Sequence, residues 1–160
     1  MPPSATEDTA GVVLPPPVIY LGGLLPGLLA DRLLALPALP GLAGRGGLYL
    51  GAALGLLGLA LVLIAAGRFF RAGTAIQPHQ PASALVTGGL YRLSRNPIYL
   101  GITLLYLGLV AGFASLGALA LLPVVLLAME FGVIRREERY LERRFGQAYR
   151  DYRARVRRWI

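Results

Sequence analysis

Between residues 47 and 66 the chain carries no charge, and almost every side chain in that stretch is apolar. A helix of about 20 such residues covers the hydrocarbon core of a bilayer. In lipid, every backbone N–H and C=O must be satisfied from within, which restricts such a segment to a helix or a closed barrel. Three further runs, 18–36, 97–113 and 116–134, follow the same apolar pattern. The last two are short and meet around Gly112 to Gly117, which predicts a tight helical hairpin. The chain therefore reads as an all-α polytopic membrane protein of about four transmembrane helices. The hairpin lies in its C-terminal half, and a cytoplasmic or interfacial helical segment follows it.

Composition narrows the function classes. Cysteine is absent and His79 is the single histidine, so neither a disulfide nor a conventional His/Cys metal cluster can be built, and no metal is expected. All sixteen basic residues are arginine and the net charge is +8. No soluble domain exists on which to lay out a nucleic-acid surface, so an anionic membrane face is the expected partner of that charge. Ten arginines fall within 135–158, and Arg68, Arg71, Arg92 and Arg95 lie between the second and third runs. Positive charge in short loops stays cytoplasmic, which places both termini on that side, in a bacterial inner membrane by the look of the composition. Residues 1–17 hold Glu7 and Asp8 but no basic residue, the wrong flank for a signal peptide; they read as a disordered tail before one membrane domain, 18–160.

Small residues recur at helix-packing spacing in the pairs Gly23 and Gly27, Gly51 and Gly55, and Gly108 and Gly112. Close approach of helices within one monomer accounts for them, and a homodimer is the other use of the same spacing.

Two charged motifs stand against this apolar background. In "GGLYRLSRNPIYLG", Pro97 suits the first turn of a helix, so Arg95 and Asn96 sit at the mouth of the third run. Unsatisfied amides at such a mouth attract an anion, and Arg95 adds a forked donor for a carboxylate. Tyr91 offers a ring face to a cation or a base. In "IRREERYLERRFGQAYRDYRARVRRW", Ile134, Leu141 and Phe145 form one helical stripe. Glu137 and Glu138 fall within about 60° of its centre, so at least one points toward protein or a cavity. After Gly146, Tyr149, Tyr152, Val156 and Trp159 form a second stripe beside an arginine-rich face, the pattern of an interfacial helix.

Taken together, "AGTAIQPHQPASALVTGGLYRLSRNPIYLG" and "EERYLERRFGQAYRDYRARVRRW" resemble the integral-membrane methyltransferases of the isoprenylcysteine carboxyl methyltransferase and phospholipid methyltransferase superfamily. The resemblance covers two separated motifs, 73–101 and 134–159, with a hairpin between them. It implies methyl transfer from S-adenosylmethionine to a lipid or other lipophilic, membrane-embedded acceptor. By motif, it implies cofactor contacts from Ser83, Ala84, Leu85, Val86, Tyr91, Arg95, Asn96, Pro97, Ile98 and Glu137, those of 83–86 largely through backbone. Glu137, Glu138 and Arg95 are the residues expected to take part in the chemistry, a carboxylate serving as base only if the acceptor carries a proton.

The sequence also departs from the prenylcysteine branch. Asn96 and Ser83 stand where that branch has histidines, and Val133 stands where it places a substrate-contacting arginine. A prenylcysteine carboxylate is therefore a poor acceptor, and a phospholipid amine, a thiol or a small lipophilic nucleophile is favoured. The competing reading is a small proton-coupled transporter using Asp31 and Glu130, because an acid near the membrane interior is a functional candidate by default.

Overall fold

The computed structural model describes residues 9–74 and 81–160, and every regular element among them is helical. In chain order these are α1 (Pro16–Leu33), α2 (Arg45–Ala72), a 3-10 turn (Gly89–Arg92), α3 (Pro97–Phe113), α4 (Leu116–Met129), a π turn (Glu130–Ile134), α5 (Arg135–Phe145) and α6 (Gln147–Arg155). α4, the π turn and α5 run on as one helix of 30 residues. His79 lies outside the described residues, as do the first eight residues of the expected N-terminal tail.

Two helices, Arg45–Ala72 and Leu116–Phe145, are long and apolar enough to cross a membrane, against the four crossings expected. α3 is apolar but ends after 17 residues, where Ala114 turns into the left-handed region and closes the helix. α1 has proline at its start and at Pro26, and Asp31 and Arg32 near its end, which dilute its apolar run. On α2, Leu48, Leu56 and Leu63 are all exposed, as on a helix whose surroundings are apolar. The apolar part of the long helix stops at Ile134. From Arg135 onward its surface is charged, so α5 lies beyond the span.

Backbone-to-backbone approach pairs α2 with α3 and α1 with α4. A methyl group added at Gly108 would come within 2.8 Å of the Gly51 carbonyl oxygen, and one at Gly51 within 2.6 Å of the Gly108 oxygen. Gly27 lies against Gly117 and Ala118 in the same way, and Gly23 against Val125. The glycine spacing read from the sequence is thus used inside one chain. Replacing Gly108 by valine forces the α2–α3 pair apart and should destabilise the fold by about 1–3 kcal/mol, the usual range for overpacking. Gly55→Ala is the control, because nothing lies within 4 Å of its added methyl. Thermal unfolding in detergent should show a lowered midpoint for the first variant and none for the second.

The two acids of the transporter reading both have structural partners. Asp31 accepts the Ser115 hydroxyl and the Gly117 N–H (2.7 Å), while Ser115 itself caps α4 by accepting the Ala118 N–H. A carboxylate at a helix N-terminus satisfies orphan amides and meets the positive end of the dipole. Glu130 is bound by Arg135 at 2.9 Å and Arg158 at 2.6 Å.

The chain from Ala10 is docked where the sequence suggested disorder up to residue 17. A π turn leaves a backbone carbonyl without its usual α-helical donor, and here the Gly132 oxygen accepts the Val13 N–H at 3.1 Å. Arg136 donates to the Gly11 oxygen at 3.0 Å, and Ala10 and Val12 are buried against the core.

Candidate active site

The cavity lies where the start of α3, α5 and α6 converge, with the end of α2 and the 82–86 loop as its remaining walls. Its interior volume is about 120 Å³, below the usual range of small-molecule sites. Gly146, at φ +54°, lets the chain break between α5 and α6 and brings Tyr149 and Tyr152 to its wall. Tyr152 donates to the Tyr91 carbonyl at 2.8 Å, and Phe69 meets the Tyr91 ring edge-on at 5.5 Å. The stripe that reads as an interfacial face is therefore turned inward at Tyr149 and Tyr152, both buried. Aromatic rings with polar tips suit either setting, and the reversal at Gly146 decides between them. Burial raises the Tyr91 and Tyr152 hydroxyls well above their ordinary range and Tyr149 to about 12, so this wall stays uncharged at physiological pH.

Of the ten residues expected at the cofactor site, Ala84, Leu85, Val86, Tyr91, Arg95, Asn96, Ile98 and Glu137 line the cavity; Ser83 and Pro97 do not. Pro97 occupies the first helical position of α3 and sets its direction. Ser83 ties the loop down, its N–H donating to the Thr74 hydroxyl at 2.9 Å and its own hydroxyl to the Gly73 carbonyl. The Ala84 N–H also goes to Thr74, and that of Ala82 to the Tyr140 hydroxyl at 2.8 Å. Three backbone donors of the loop are thereby used in holding it. Gly89 adopts φ +64° with the Arg68 guanidinium directly over it, a place where a side chain would clash within 3 Å.

The polar groups divide into two sets. Glu137 accepts a hydrogen bond from the Tyr99 hydroxyl at 2.6 Å. Its burial outweighs that bond, raising the carboxyl to about 7. Glu138 is held by a second cation as well as by Arg95: Arg158 donates Nε to Oε1 at 3.0 Å and Nη2 to Oε2 at 2.6 Å. Arg95 Nη1 lies 3.0 Å from Glu138 Oε1, yet neither Nη1 nor Nε has an aligned acceptor among the described residues. The Arg95 side chain is only 10% exposed. Buried donors of this kind are rare and costly, and a ligand carboxylate is a group that could supply the acceptor. Asn96 turns its side-chain amide to the Arg158 carbonyl at 3.0 Å, so its amide fastens the segment after α6.

A model of the phospholipid methyltransferase family matches residues 47–148, well over half of the 160 residues. The chain belongs to the phospholipid methyltransferase family. Membership implies a methyltransferase acting on lipid-like substrates, and methyltransferases of this family generally use S-adenosylmethionine. No curated protein and no solved structure gives a significant match. The transporter reading is not favoured, in keeping with the structural partners of Asp31 and Glu130.

For this phospholipid methyltransferase family member, residues in and behind the cavity wall differ in how far the sequence could find them. Tyr99 lies two residues after Pro97, and Tyr140 three after Glu137, which places it on the same helix face. That spacing is enough to find Tyr140. Arg158 is one arginine among ten in its region, and only the fold separates it from the rest.

Proposed function

We propose that this chain transfers a methyl group from S-adenosylmethionine to a lipophilic acceptor taken from the membrane. The observation that carries the reading is Arg95, a buried cation on a largely apolar cavity whose Nε has no acceptor among the described residues and whose Nη1 has only the ion contact to Glu138. The donor set fits the cofactor: Arg95 for its carboxylate, Glu137 for its positive centres, and Phe69, Leu85 and Tyr91 for its adenine ring. Bound there, S-adenosylmethionine supplies a methyl already activated by a sulfonium.

The protein's part is then to align, to exclude water and to manage one proton. Apolar walls shed solvent, and holding the reactants at near-attack distance contributes on the order of 7–11 kcal/mol. Tyr99 fixes Glu137 through Oε1, leaving Oε2 to accept the proton of an ammonium or hydroxyl acceptor. Both oxygens of Glu138 are engaged by Arg158, so the base role falls to Glu137 rather than Glu138. The proposed setting has α1 and α3 completing four crossings beside the two long helices, both termini cytoplasmic, and the acceptor arriving laterally in a bacterial inner membrane.

Val133, where the prenylcysteine branch carries arginine, is fully buried in the core and does not line the cavity. No cation stands there for an acceptor carboxylate, which favours a lipid or small lipophilic acceptor. The test supplies radiolabelled S-adenosylmethionine with extracted native membranes and, separately, with a farnesylcysteine analogue. Label is expected in the lipid fraction. Methyl ester on the farnesyl analogue alone would overturn the acceptor assignment, and no transfer together with no cofactor binding would overturn the function.

A further inference from the structure

We infer that Arg158 is a positioning residue that keeps the Arg95 guanidinium available to a ligand carboxylate by occupying both oxygens of Glu138. The inference rests on the proposed cofactor reading and adds a residue that does not line the cavity. Arg95 and Glu138 have side chains 10% and 12% exposed, opposite charges and adjacent positions. A carboxylate and a guanidinium so placed ordinarily close into a fork of two parallel hydrogen bonds, which would consume the donors that face the cavity. Here the fork is made by a different arginine. Arg158 takes Oε1 and Oε2 of Glu138 through Nε and Nη2, and its remaining Nη1 reaches Glu130 at 2.6 Å. Arg95 keeps a single ion contact to Oε1 and a hydrogen-bonding contact with Tyr149, and its Nε has no acceptor among the described residues.

Backbone groups of the same segment hold Arg95 in place independently of the Arg158 side chain. The Arg95 N–H donates to the Arg157 carbonyl at 3.0 Å, and the Arg158 carbonyl accepts from Asn96 Nδ2 and from the Ser94 hydroxyl. Truncating the Arg158 side chain leaves those carbonyls present. It releases Glu138 to swing onto Arg95 and close the fork, so the loss should be specific to ligands that need Arg95.

The experiment compares calorimetric binding of S-adenosylmethionine with that of its decarboxylated analogue, in full-length wild type, Arg158→Ala and Arg158→Ala/Glu138→Gln. Wild type should prefer the carboxylate-bearing ligand. Arg158→Ala should shrink that preference at least tenfold by weakening S-adenosylmethionine alone. The double variant removes the competing carboxylate and should restore the preference. Equal weakening of both ligands, or a preference untouched in Arg158→Ala, would overturn the positioning role. If wild type binds both ligands but without preference, Arg95 does not read a carboxylate and the inference falls while cofactor use stands. Should wild type bind neither, the cofactor reading fails and this inference fails with it.

Discussion

Arg95→Ala should reduce S-adenosylmethionine affinity by roughly 30-fold to a few thousand-fold while leaving the fold intact. Removing one partner of a buried, hydrogen-bonded charge pair costs about 2–5 kcal/mol, and a tenfold change in binding is about 1.4 kcal/mol. The fold survives because Glu138 retains Arg158 as its bidentate partner, so no carboxylate is stranded. Arg95→Lys keeps the charge but loses the fork, and should recover only part of the affinity. Calorimetry in detergent gives the affinities and thermal unfolding checks the fold. An unchanged dissociation constant in Arg95→Ala would remove Arg95 from the site.

Glu137→Gln should produce the second large effect, on turnover and on its pH dependence. With an acceptor that must lose a proton, wild-type kcat/KM rises as pH passes through about 7, where the Glu137 carboxyl of the ligand-free protein ionises. The glutamine variant should be slower by roughly 10²–10⁴-fold and should lack that rise. Stability changes in the opposite sense. Burial raises this carboxyl from 4.5 to about 7, so the folded protein binds more protons than the unfolded chain between those values. In the ligand-free protein Glu137 therefore costs stability progressively as pH climbs through that window, and the full cost is present above it. Glutamine keeps an acceptor for Tyr99 without the charge, so the variant should melt higher than wild type at pH 8 and level with it at pH 4. A variant that keeps wild-type turnover and the same pH profile would exclude Glu137 as the base.

The sequence by itself determined the helical architecture, because apolar runs in lipid have few other ways to satisfy their backbone. The start of α3 follows from Asn96 and Pro97, and the end of the hairpin's first arm from the Gly112 to Gly117 region. Both are local effects of backbone geometry and hydropathy. The two charged motifs and the family were legible for a similar reason, since polar groups against a membrane stand out. What the sequence could not supply was the pairing among the arginines and glutamates. Ten arginines crowd into 135–158, and helical periodicity ranks them by face but not by partner. Tertiary structure decided that Arg158, twenty residues beyond Glu138, makes the fork with it while Arg95 keeps a single ion contact. It decided likewise that the tyrosines after Gly146 face the cavity, because a single positive-φ glycine reverses the chain and the direction of reversal is set by packing against Tyr91. The docking of Val13 on Gly132 belongs to the same class: it depends on a carbonyl that becomes available only when the long helix widens into a π turn. Periodicity reads one element at a time, whereas each of these contacts joins elements far apart in sequence.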